Sequence, residues 1–289
     1  MREIAYGKIN LGLSVGGMRS DSYHNVDMVM QTISFADYLD FTAADGFQLT
    51  CDDLSLPCDK HNLAYKAAML MSRATGHKPE VKIHITKRIF QAAGLAGGST
   101  DGAAVLRGLN KLWQTGLTDR ELEKLAEELG SDVPFCIKGG TVRATGRGEI
   151  LSPLPDVPKL WLVLAKPRNL AVSTPWVYKN FQQEAVLKPT NEEAIIQAIK
   201  EGNRQELLKY MSNDLETVTL PAYPILKDIK SIMEKAGAEK TLMSGSGPTI
   251  FGIVPDENTA KQVAVALKAT QAVEINIAVT TKGEMDNGK

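Results

Sequence analysis

The sequence is poor in the residues that build disulfide-bonded or metal-stabilised domains. Its 289 residues include only three cysteines and four histidines. The cysteines are odd in number, and neither residue type recurs at the spacing of a metal site. We therefore expect Cys51, Cys58 and Cys136 to be reduced thiols, and we predict no protein-bound metal centre.

A strong charge of either sign and a long apolar run are also missing. The formal net charge is −1, which excludes the strongly basic surface typical of proteins that bind nucleic acid or anionic membranes. No run approaches the ~20 apolar residues of a transmembrane helix, and the first residues show no signal-peptide pattern. We therefore expect a cytoplasmic protein with neither a nucleic-acid nor a membrane partner.

The composition is that of a globular protein long enough for two domains. Hydrophobic residues make up 43% of the chain and charged residues 23%, which argues against disorder. Pro153, Pro155 and Pro158 fall in a short segment with few residues that could pair in a sheet. We predict a boundary here, with an N-terminal domain of residues 1–155 and a C-terminal domain of residues 156–289. Strands and helices are mixed on both sides of it, which predicts an α+β fold.

Apolar periodicity predicts the elements that carry the candidate site. Strands are predicted over 8–15, 26–33 and 38–42, with a turn between the last two. A helix is predicted to begin at Thr118 with a capping box to Glu121, and to end at Gly130.

The glycine-rich stretch of residues 92–104 is the most informative segment. Gly94, Gly97 and Gly98 precede Ser99–Asp101, which we expect to cap the helix that follows. Glycines let the backbone approach a phosphate closely, and the positive end of a helix dipole favours its charge. The stretch is neither a Walker A motif nor a dinucleotide fingerprint. On glycine content alone, a tight strand-to-helix turn is an equal alternative.

Three other segments place polar residues where chemistry could use them. Lys8 and Asn10 share one face of a predicted strand, Asp132 follows a predicted helix end, and residues 244–248 form a second glycine-rich loop. Each alone has an ordinary explanation, such as a solvated strand face or a turn-forming carboxylate. Their combination with the 92–104 stretch indicates a phosphate-handling site.

Taken in order, these segments resemble the four signatures of the GHMP small-molecule kinases, and the resemblance covers essentially the whole chain. They read Lys8-Ile9-Asn10-Leu11, Gly94-Leu95-Ala96-Gly97-Gly98-Ser99-Thr100-Asp101, Gly130-Ser131-Asp132-Val133-Pro134-Phe135 and Ser244-Gly245-Ser246-Gly247-Pro248. Within that superfamily, Asp21-Ser22-Tyr23-His24 and Gly146-Arg147-Gly148-Glu149 resemble the 4-diphosphocytidyl-2-C-methyl-D-erythritol kinases of the non-mevalonate isoprenoid route. Homoserine and mevalonate kinases share the glycine loops but lack the Tyr-His pair.

The resemblance implies the fold and the phosphoryl donor. The N-terminal domain would be like the second domain of ribosomal protein S5 and the C-terminal domain ferredoxin-like, with the active site between them. ATP would be the donor, with Mg²⁺, and Ser99 and Thr100 would offer hydroxyls to phosphate or metal. The implied ATP-binding residues are Phe90, Gln91, Ala92, Ala93, Gly94, Leu95, Ala96, Gly97, Gly98, Ser99 and Thr100.

The resemblance also implies a catalytic pair. Asp132 would accept the proton of the substrate's tertiary 2-hydroxyl as that oxygen attacks the γ-phosphate of ATP. Lys8 would orient Asp132 and offset the negative charge that develops. Phosphoryl transfer depends mainly on such positioning and charge stabilisation.

The implied substrate carries a cytidine diphosphate group. Tyr23 would stack on one face of the cytosine ring, His24 would contact the base, and Tyr178 would cover the other face. An ordinary core aromatic is an equal alternative for Tyr178. Asn10 would contact the substrate or support Lys8. The other implied substrate-binding residues, which would approach the substrate diphosphate or cover the ATP phosphates, are Thr174, Ser244, Gly245, Ser246 and Gly247.

Two other functions remain open at this point. One is a GHMP kinase for another small alcohol, similar to homoserine or mevalonate; the other is a weakly active paralogue that acts as a nucleotide-binding module. Three positions flanking the motifs, Tyr6-Gly7, Ser22 and Phe90, differ from the pattern of the family. At Ser22 the family has glycine, so serine is disfavoured there if the position needs a positive φ.

Overall fold

The computed structural model of the chain describes residues 1–269 and 272–282. The strands are β1 (Arg2–Met18), β2 (His24–Ala43), β3 (Gln48–Cys51), β4 (Val81–Thr86), β5 (Thr141–Thr145), β6 (Ile150–Pro153), β7 (Trp161–Pro167), β8 (Ser212–Asn213), β9 (Lys240–Met243), β10 (Ile250–Val254) and β11 (Val273–Val279). The helices are α1 (Leu63–Thr75), α2 (Gly97–Leu112), α3 (Asp119–Ala126), α4 (Val133–Lys138), α5 (Thr174–Lys179), α6 (Glu192–Lys200), α7 (Arg204–Tyr210), α8 (Glu216–Ala222), α9 (Ile225–Lys235) and α10 (Glu257–Lys268).

The larger sheet is organised around the long antiparallel pair β1 and β2. Its order is β3-β4-β2-β1-β8, with β5 pairing to β2 and β6 to β5. The pairing of β1 is irregular between Asn10 and Gly12, and such bulges redirect side chains. Ile9 accordingly packs in one hydrophobic cluster and Leu13 in the other. A second irregularity, between Tyr6 and Lys8, lies next to Lys8 and so helps to aim the side chains of that strand.

The smaller sheet is formed by strands that all follow residue 160. Its order is β11-β7-β10-β9, and all neighbours are antiparallel. Helices α9 and α10 cover one face with side chains such as Leu226 and Val263. The two sheets are connected, because β8 pairs with β1 and Ile33 forms a bridge to Thr280. The division at residues 155 and 156 stays a prediction.

The predicted turn between residues 33 and 38 is wrong, because β2 is one continuous strand. The segment between the two predicted strands contains the polar residues Ser34 and Asp37. Asp37 is fully buried, however, and its carboxylate accepts the backbone N–H groups of Arg88 and Ile89 at 2.5 and 2.8 Å. A polar residue with buried partners is compatible with a strand interior.

The segment around Asp132 also differs from the prediction. The capping box of Thr118 and Glu121 is present, but α3 ends at Ala126, four residues before Gly130. A short helix that the sequence analysis missed, α4, begins directly after Asp132 with Pro134 in its first turn, a position that proline favours. Asp132 is therefore the N-cap residue of α4 rather than a residue after a helix end.

The expected side-chain cap of α2 is likewise wrong. The helix begins at Gly97, and its N-cap residue Ala96 has φ 59° and no side-chain cap bond. Ser99 and Thr100 therefore lie inside the first turn. The first backbone N–H groups of α2 are left without a side-chain cap, as an anion-binding helix start requires.

Candidate active site

A cavity of about 670 Å³ opens between the glycine loop, the start of α4 and the second glycine-rich loop. It brings together most of the residues that the sequence analysis singled out. Those that line it are Lys8, Tyr23, His24, Phe90, Gln91, Ala92, Ala93, Gly94, Ala96, Gly97, Gly98, Ser99, Asp132, Thr174, Tyr178, Gly245, Ser246 and Gly247. Asn10, Leu95, Thr100 and Ser244 do not line the cavity.

Lys8 and Asp132 face each other in this cavity. Lys8 Nζ lies 3.9 Å from Asp132 Oδ2, and the two side chains are 5% and 34% exposed. Although Asp132 occupies the N-cap position of α4, its carboxylate makes no cap hydrogen bond. The carboxylate therefore remains available to a ligand, with a cation held within reach of it.

Asn10 supports Lys8 from the same strand. Lys8 Nζ donates to Asn10 Oδ1 at 2.8 Å, and Asn10 is fully buried. Asn10 Nδ2 in turn lies 3.4 Å from Met28 Sδ. Of the two roles considered for Asn10, the contacts favour the orientation of Lys8 over a direct contact with a ligand.

The two glycine-rich loops touch at Gly94 and Ser244. Ser244 Oγ donates to the carbonyl oxygen of Gly94 at 2.9 Å. Gly94 has φ 74°, and a Cβ on it would lie 2.1 Å from the carbonyl oxygen of Ser244. Only glycine allows the backbones to come this close. Ser244 thus joins the two loops, although its side chain does not line the cavity.

Asn213 holds the second glycine-rich loop and was not found by the sequence analysis. Its Nδ2 donates to the carbonyl oxygens of Met243 and Gly245, both at 2.8 Å. Asn213 belongs to β8, which pairs with β1 next to Leu13. The strand that carries Lys8 therefore also positions the loop on the opposite side of the cavity.

The expectation that Thr100 offers its hydroxyl to a ligand does not hold. Thr100 is 1% exposed, and its Oγ1 donates to the carbonyl oxygen of Tyr6 at 2.8 Å. The reason is the earlier start of α2, which turns Thr100 towards β1. Leu95 is similarly buried, and its carbonyl oxygen accepts the backbone N–H of Lys8 at 3.1 Å. Ser99, in contrast, lies at the cavity wall.

Aromatic residues also line the cavity. Tyr23 is 55% exposed, and the guanidinium of Arg147 lies 5.2 Å from its ring centroid. His24 Nδ1 is 3.0 Å from the carbonyl oxygen of Gly16. Because a carbonyl can only accept, Nδ1 is the donor in this contact, and in the neutral imidazole Nε2 is then an acceptor.

Tyr178 lies beside His24 and both packs against the hydrophobic core and faces the cavity. Their ring centroids are 6.0 Å apart, and Tyr178 lines the cavity. Burial raises the pKa of the Tyr178 hydroxyl, so the group is neutral near pH 7. Phe181, which the sequence analysis missed, places its ring 6.0 Å from His24 as well. Nearby, Thr174 Oγ1 and Ser246 Oγ are 2.7 Å apart and connect α5 to the second glycine-rich loop.

Ser22 has φ 65° and lines the cavity beside Tyr23. A side chain in this left-handed region costs roughly 1–2 kcal/mol. This is more than the extra conformational entropy that a glycine loses on folding. We expect Ser22→Gly to raise the free energy of unfolding by about 0.5 kcal/mol. Ser20→Gly is the matched control, because Ser20 is outside the left-handed region; it should lower that free energy by a similar amount. Urea unfolding compares the two, and equal signs would contradict the strain at Ser22.

The described part of the chain has no cluster of three or more histidine, cysteine, aspartate or glutamate residues that could hold a metal ion. In the same residues no helix is long and apolar enough to cross a membrane.

Comparison with known proteins places this geometry in a family. Residues 62–140 match the GHMP kinases N terminal domain, and residues 195–272 match the GHMP kinases C terminal family. A crystal structure of homoserine kinase from Cytophaga hutchinsonii superposes with a TM-score of 0.76 at 19% identity, over 97% of this chain and 95% of that one. The fold and the site thus define a two-domain GHMP kinase, an ATP-dependent enzyme that acts on a small molecule.

More similar proteins identify the branch of the superfamily. A 4-diphosphocytidyl-2-C-methyl-D-erythritol kinase from Synechococcus sp. (strain JA-2-3B'a(2-13)) is 48% identical over 92% of this chain and 88% of its own. A crystal structure of 4-(cytidine 5'-diphospho)-2C-methyl-D-erythritol kinase has a TM-score of 0.83 at 35% identity, covering 97% of this chain and 100% of that chain. The chain belongs to the 4-diphosphocytidyl-2-C-methyl-D-erythritol kinase family.

Proposed function

We propose that the protein transfers the γ-phosphoryl group of ATP to the tertiary 2-hydroxyl of 4-diphosphocytidyl-2-C-methyl-D-erythritol, in the cytoplasm. The observation that carries this proposal is the shared cavity. The cavity is lined by Lys8 and Asp132, by the uncapped start of α2, and by Tyr23, His24 and Tyr178. Phosphate-binding and aromatic residues in one cavity suit a kinase whose acceptor carries a nucleoside diphosphate.

The proposed reaction proceeds in one displacement. The substrate O2 forms a bond to the γ-phosphorus, the bond from that phosphorus to the β-bridging oxygen breaks, and ADP leaves. The hydroxyl proton passes to the carboxylate of Asp132 as general base. Lys8 holds that carboxylate in place and offsets negative charge on the transferred group, since its ammonium lies 3.9 Å from Asp132 Oδ2.

The ATP phosphates would lie over the backbone of residues 90–99 at the start of α2. There the N–H groups of the first helical turn and the helix dipole favour the phosphate charge. Mg²⁺ carried by ATP fits this site, because Mg²⁺ commonly takes most of its ligands from phosphate and water and few from protein. Ser99 would supply the protein oxygen, and the ion would neutralise phosphate charge.

Recognition of the base would combine stacking with one directional contact. Tyr23 and Tyr178 would cover the faces of the cytosine ring, which stacking alone does not distinguish from another base. His24 Nε2 is left as an acceptor by the contact of Nδ1 with Gly16, and it complements the exocyclic amino group of cytosine. Uracil has a carbonyl at that position, so a uridine analogue should bind more weakly.

Phosphorylation of homoserine or mevalonate is the second candidate function, and only the shared fold supports it. Those substrates have no ring to place against Tyr23. We therefore test the function by incubating the purified protein with ATP, Mg²⁺ and each alcohol separately and measuring ADP release. Release with the cytidine substrate alone is the expected result. Release with homoserine or mevalonate instead supports the second candidate, and binding of ATP without any release supports a nucleotide-binding module.

Tyr23→Ala should raise KM for the cytidine substrate by about tenfold, because base stacking on an aromatic ring contributes ~1–3 kcal/mol. KM for ATP should stay within a factor of about two, since Tyr23 is not part of the loop of residues 90–99 that is proposed to bind the ATP phosphates. Tyr23→Phe keeps the ring and is the matched control, with KM close to the wild-type value. Steady-state kinetics with each substrate varied in turn measures both constants. An unchanged KM for the cytidine substrate in Tyr23→Ala would place the base elsewhere.

A further inference from the structure

A buried cluster of three charged side chains, which the sequence did not predict, lies next to the glycine loop. Lys87 Nζ donates to Asp37 Oδ2 and to Asp101 Oδ2, both at 2.6 Å. The side chains of Lys87, Asp37 and Asp101 are 6%, 0% and 4% exposed. Lys87 and Asp101 also line the cavity, so the cluster is part of its wall.

The cluster is connected to both ends of the loop formed by residues 90–96. At the start of the loop, Asp37 Oδ1 accepts the backbone N–H groups of Arg88 and Ile89. At its end, Asp101 belongs to the first turns of α2. Lys87 joins the two aspartates, so one ammonium connects the chain just before the loop with the helix just after it.

The backbone at the start of α2 packs directly on this ammonium. A Cβ built on Gly97 would lie 3.2 Å from Lys87 Nζ and 3.1 Å from Ile89 Cγ2. Gly97 is the first residue of α2 and lines the cavity. The position of the Lys87 ammonium therefore limits how closely the start of α2 can pack against it.

Packing alone does not explain the charge in this cluster. Among the described residues, Asp101 Oδ1 is buried without a hydrogen-bond partner. Burial also raises the pKa of Asp101 to about 7. Buried ionic groups are often replaceable by apolar ones without loss of stability. Glu3 Oε2 is unpartnered as well, but Lys87 and Asp101 lie at the wall of the cavity beside the glycine loop, which suits a role in positioning.

We propose that Asp37, Lys87 and Asp101 are positioning residues that hold the two ends of the glycine loop at a fixed separation. The loop N–H groups are then aligned before ATP binds, so that binding does not have to order them. This proposal rests on the assignment of the loop to ATP in the proposed function. Its consequence is that the cluster controls affinity for ATP and leaves recognition of the cytidine end unchanged.

Lys87→Met tests the proposal, with Glu3→Gln as the matched control. Glu3 is a buried carboxylate whose partners Lys111 and Arg107 also belong to α2, at 2.7 and 3.5 Å, but it does not line the cavity. We expect Lys87→Met to weaken binding of a non-hydrolysable ATP analogue about tenfold by titration calorimetry and to raise KM for ATP similarly. KM for the cytidine substrate should change less than about twofold. Glu3→Gln should lower Tm and leave analogue affinity unchanged.

Two results would overturn the proposal: unchanged analogue affinity in Lys87→Met, or equal losses in Lys87→Met and Glu3→Gln. Asp101→Asn is a second variant in case Lys87→Met does not fold. Its amide oxygen still accepts from Lys87, so analogue affinity should remain within about threefold of wild type, whereas Asp101→Ala should lose about tenfold. Equal affinity in these two variants would also contradict the proposal. Calorimetry needs no acceptor, so a wild-type protein that binds the analogue but does not phosphorylate the cytidine substrate refutes the proposed function alone.

Discussion

Asp132→Asn is expected to lower kcat by about 10²–10⁴-fold while the affinity for ATP stays close to the wild-type value. The amide cannot accept the substrate proton, but it has nearly the same shape as the carboxylate. Folding should be preserved, because asparagine is as good an N-cap residue as aspartate and the carboxylate of Asp132 makes no cap bond in α4. Single-turnover rates and calorimetry with an ATP analogue separate the chemical step from binding.

Asp119→Asn is the control for this prediction. Asp119 is an exposed aspartate at the start of α3 and does not line the cavity. Its substitution removes the same charge from the protein without touching the site, so kcat should be unchanged. A kcat for Asp132→Asn within about tenfold of wild type would remove Asp132 as the general base.

Gly94→Ala is expected to separate the two glycine-rich loops and to reduce both stability and activity. The new Cβ would lie 2.1 Å from the carbonyl oxygen of Ser244, so one backbone must move and the hydrogen bond from Ser244 Oγ is lost. Overpacking of this kind costs ~1–3 kcal/mol, in addition to the strain of a side chain at positive φ. We expect kcat/KM to fall about 100-fold, because both loops border the cavity.

Gly116→Ala separates the cost of overpacking from the cost of a side chain at positive φ. Gly116 has φ 69°, close to the 74° of Gly94, but a Cβ on it meets nothing within 4 Å. Gly116→Ala should therefore lower the free energy of unfolding only by the ~1–2 kcal/mol of backbone strain, and its activity should be unchanged. Urea unfolding and kcat/KM should show Gly94→Ala to be the more damaging variant in both measurements. Equal effects in the two variants would mean that the contact between the loops does not matter.

The sequence was most informative where chemistry needs several residue types in a fixed order. The glycine loop, Lys8, Asp132 and the Tyr23–His24 pair were found because their combination and order resemble the signatures of a known family, although each segment alone has an ordinary explanation. The family, the two-domain fold and the kinase activity inferred from them are confirmed by the comparisons. The individual roles of these residues stay predictions that the experiments above address.

Prediction from the sequence failed where a polar residue has partners far away in the chain. The predicted turn between residues 33 and 38 was wrong because Asp37 is accommodated inside β2 by partners at Arg88 and Ile89, which lie 51 and 52 residues away. Asn213 was missed for the same reason, since no local pattern links it to Met243 and Gly245. Periodicity and turn chemistry describe near neighbours, whereas such buried polar contacts are fixed by the tertiary structure.

The predicted start of α2 was wrong for a more local reason. The serine and threonine of the glycine stretch suggested a cap at Ser99, yet α2 begins at Gly97 and its first turn is uncapped. An N-terminus that binds phosphate does not need a capping side chain, because the ligand itself satisfies the N–H groups. The shift of two residues moved Thr100 from the cavity to the backbone of Tyr6.

The most direct test is to identify the product formed from 4-diphosphocytidyl-2-C-methyl-D-erythritol, ATP and Mg²⁺. We predict one equivalent of ADP and a new phosphomonoester on the C2 oxygen, located by phosphorus–carbon coupling in nuclear magnetic resonance spectra. The Asp132→Asn protein should form the same product far more slowly. A phosphate on another hydroxyl of the substrate, or ADP release with no phosphorylated product, would contradict the placement of the tertiary hydroxyl between Asp132 and the ATP phosphates.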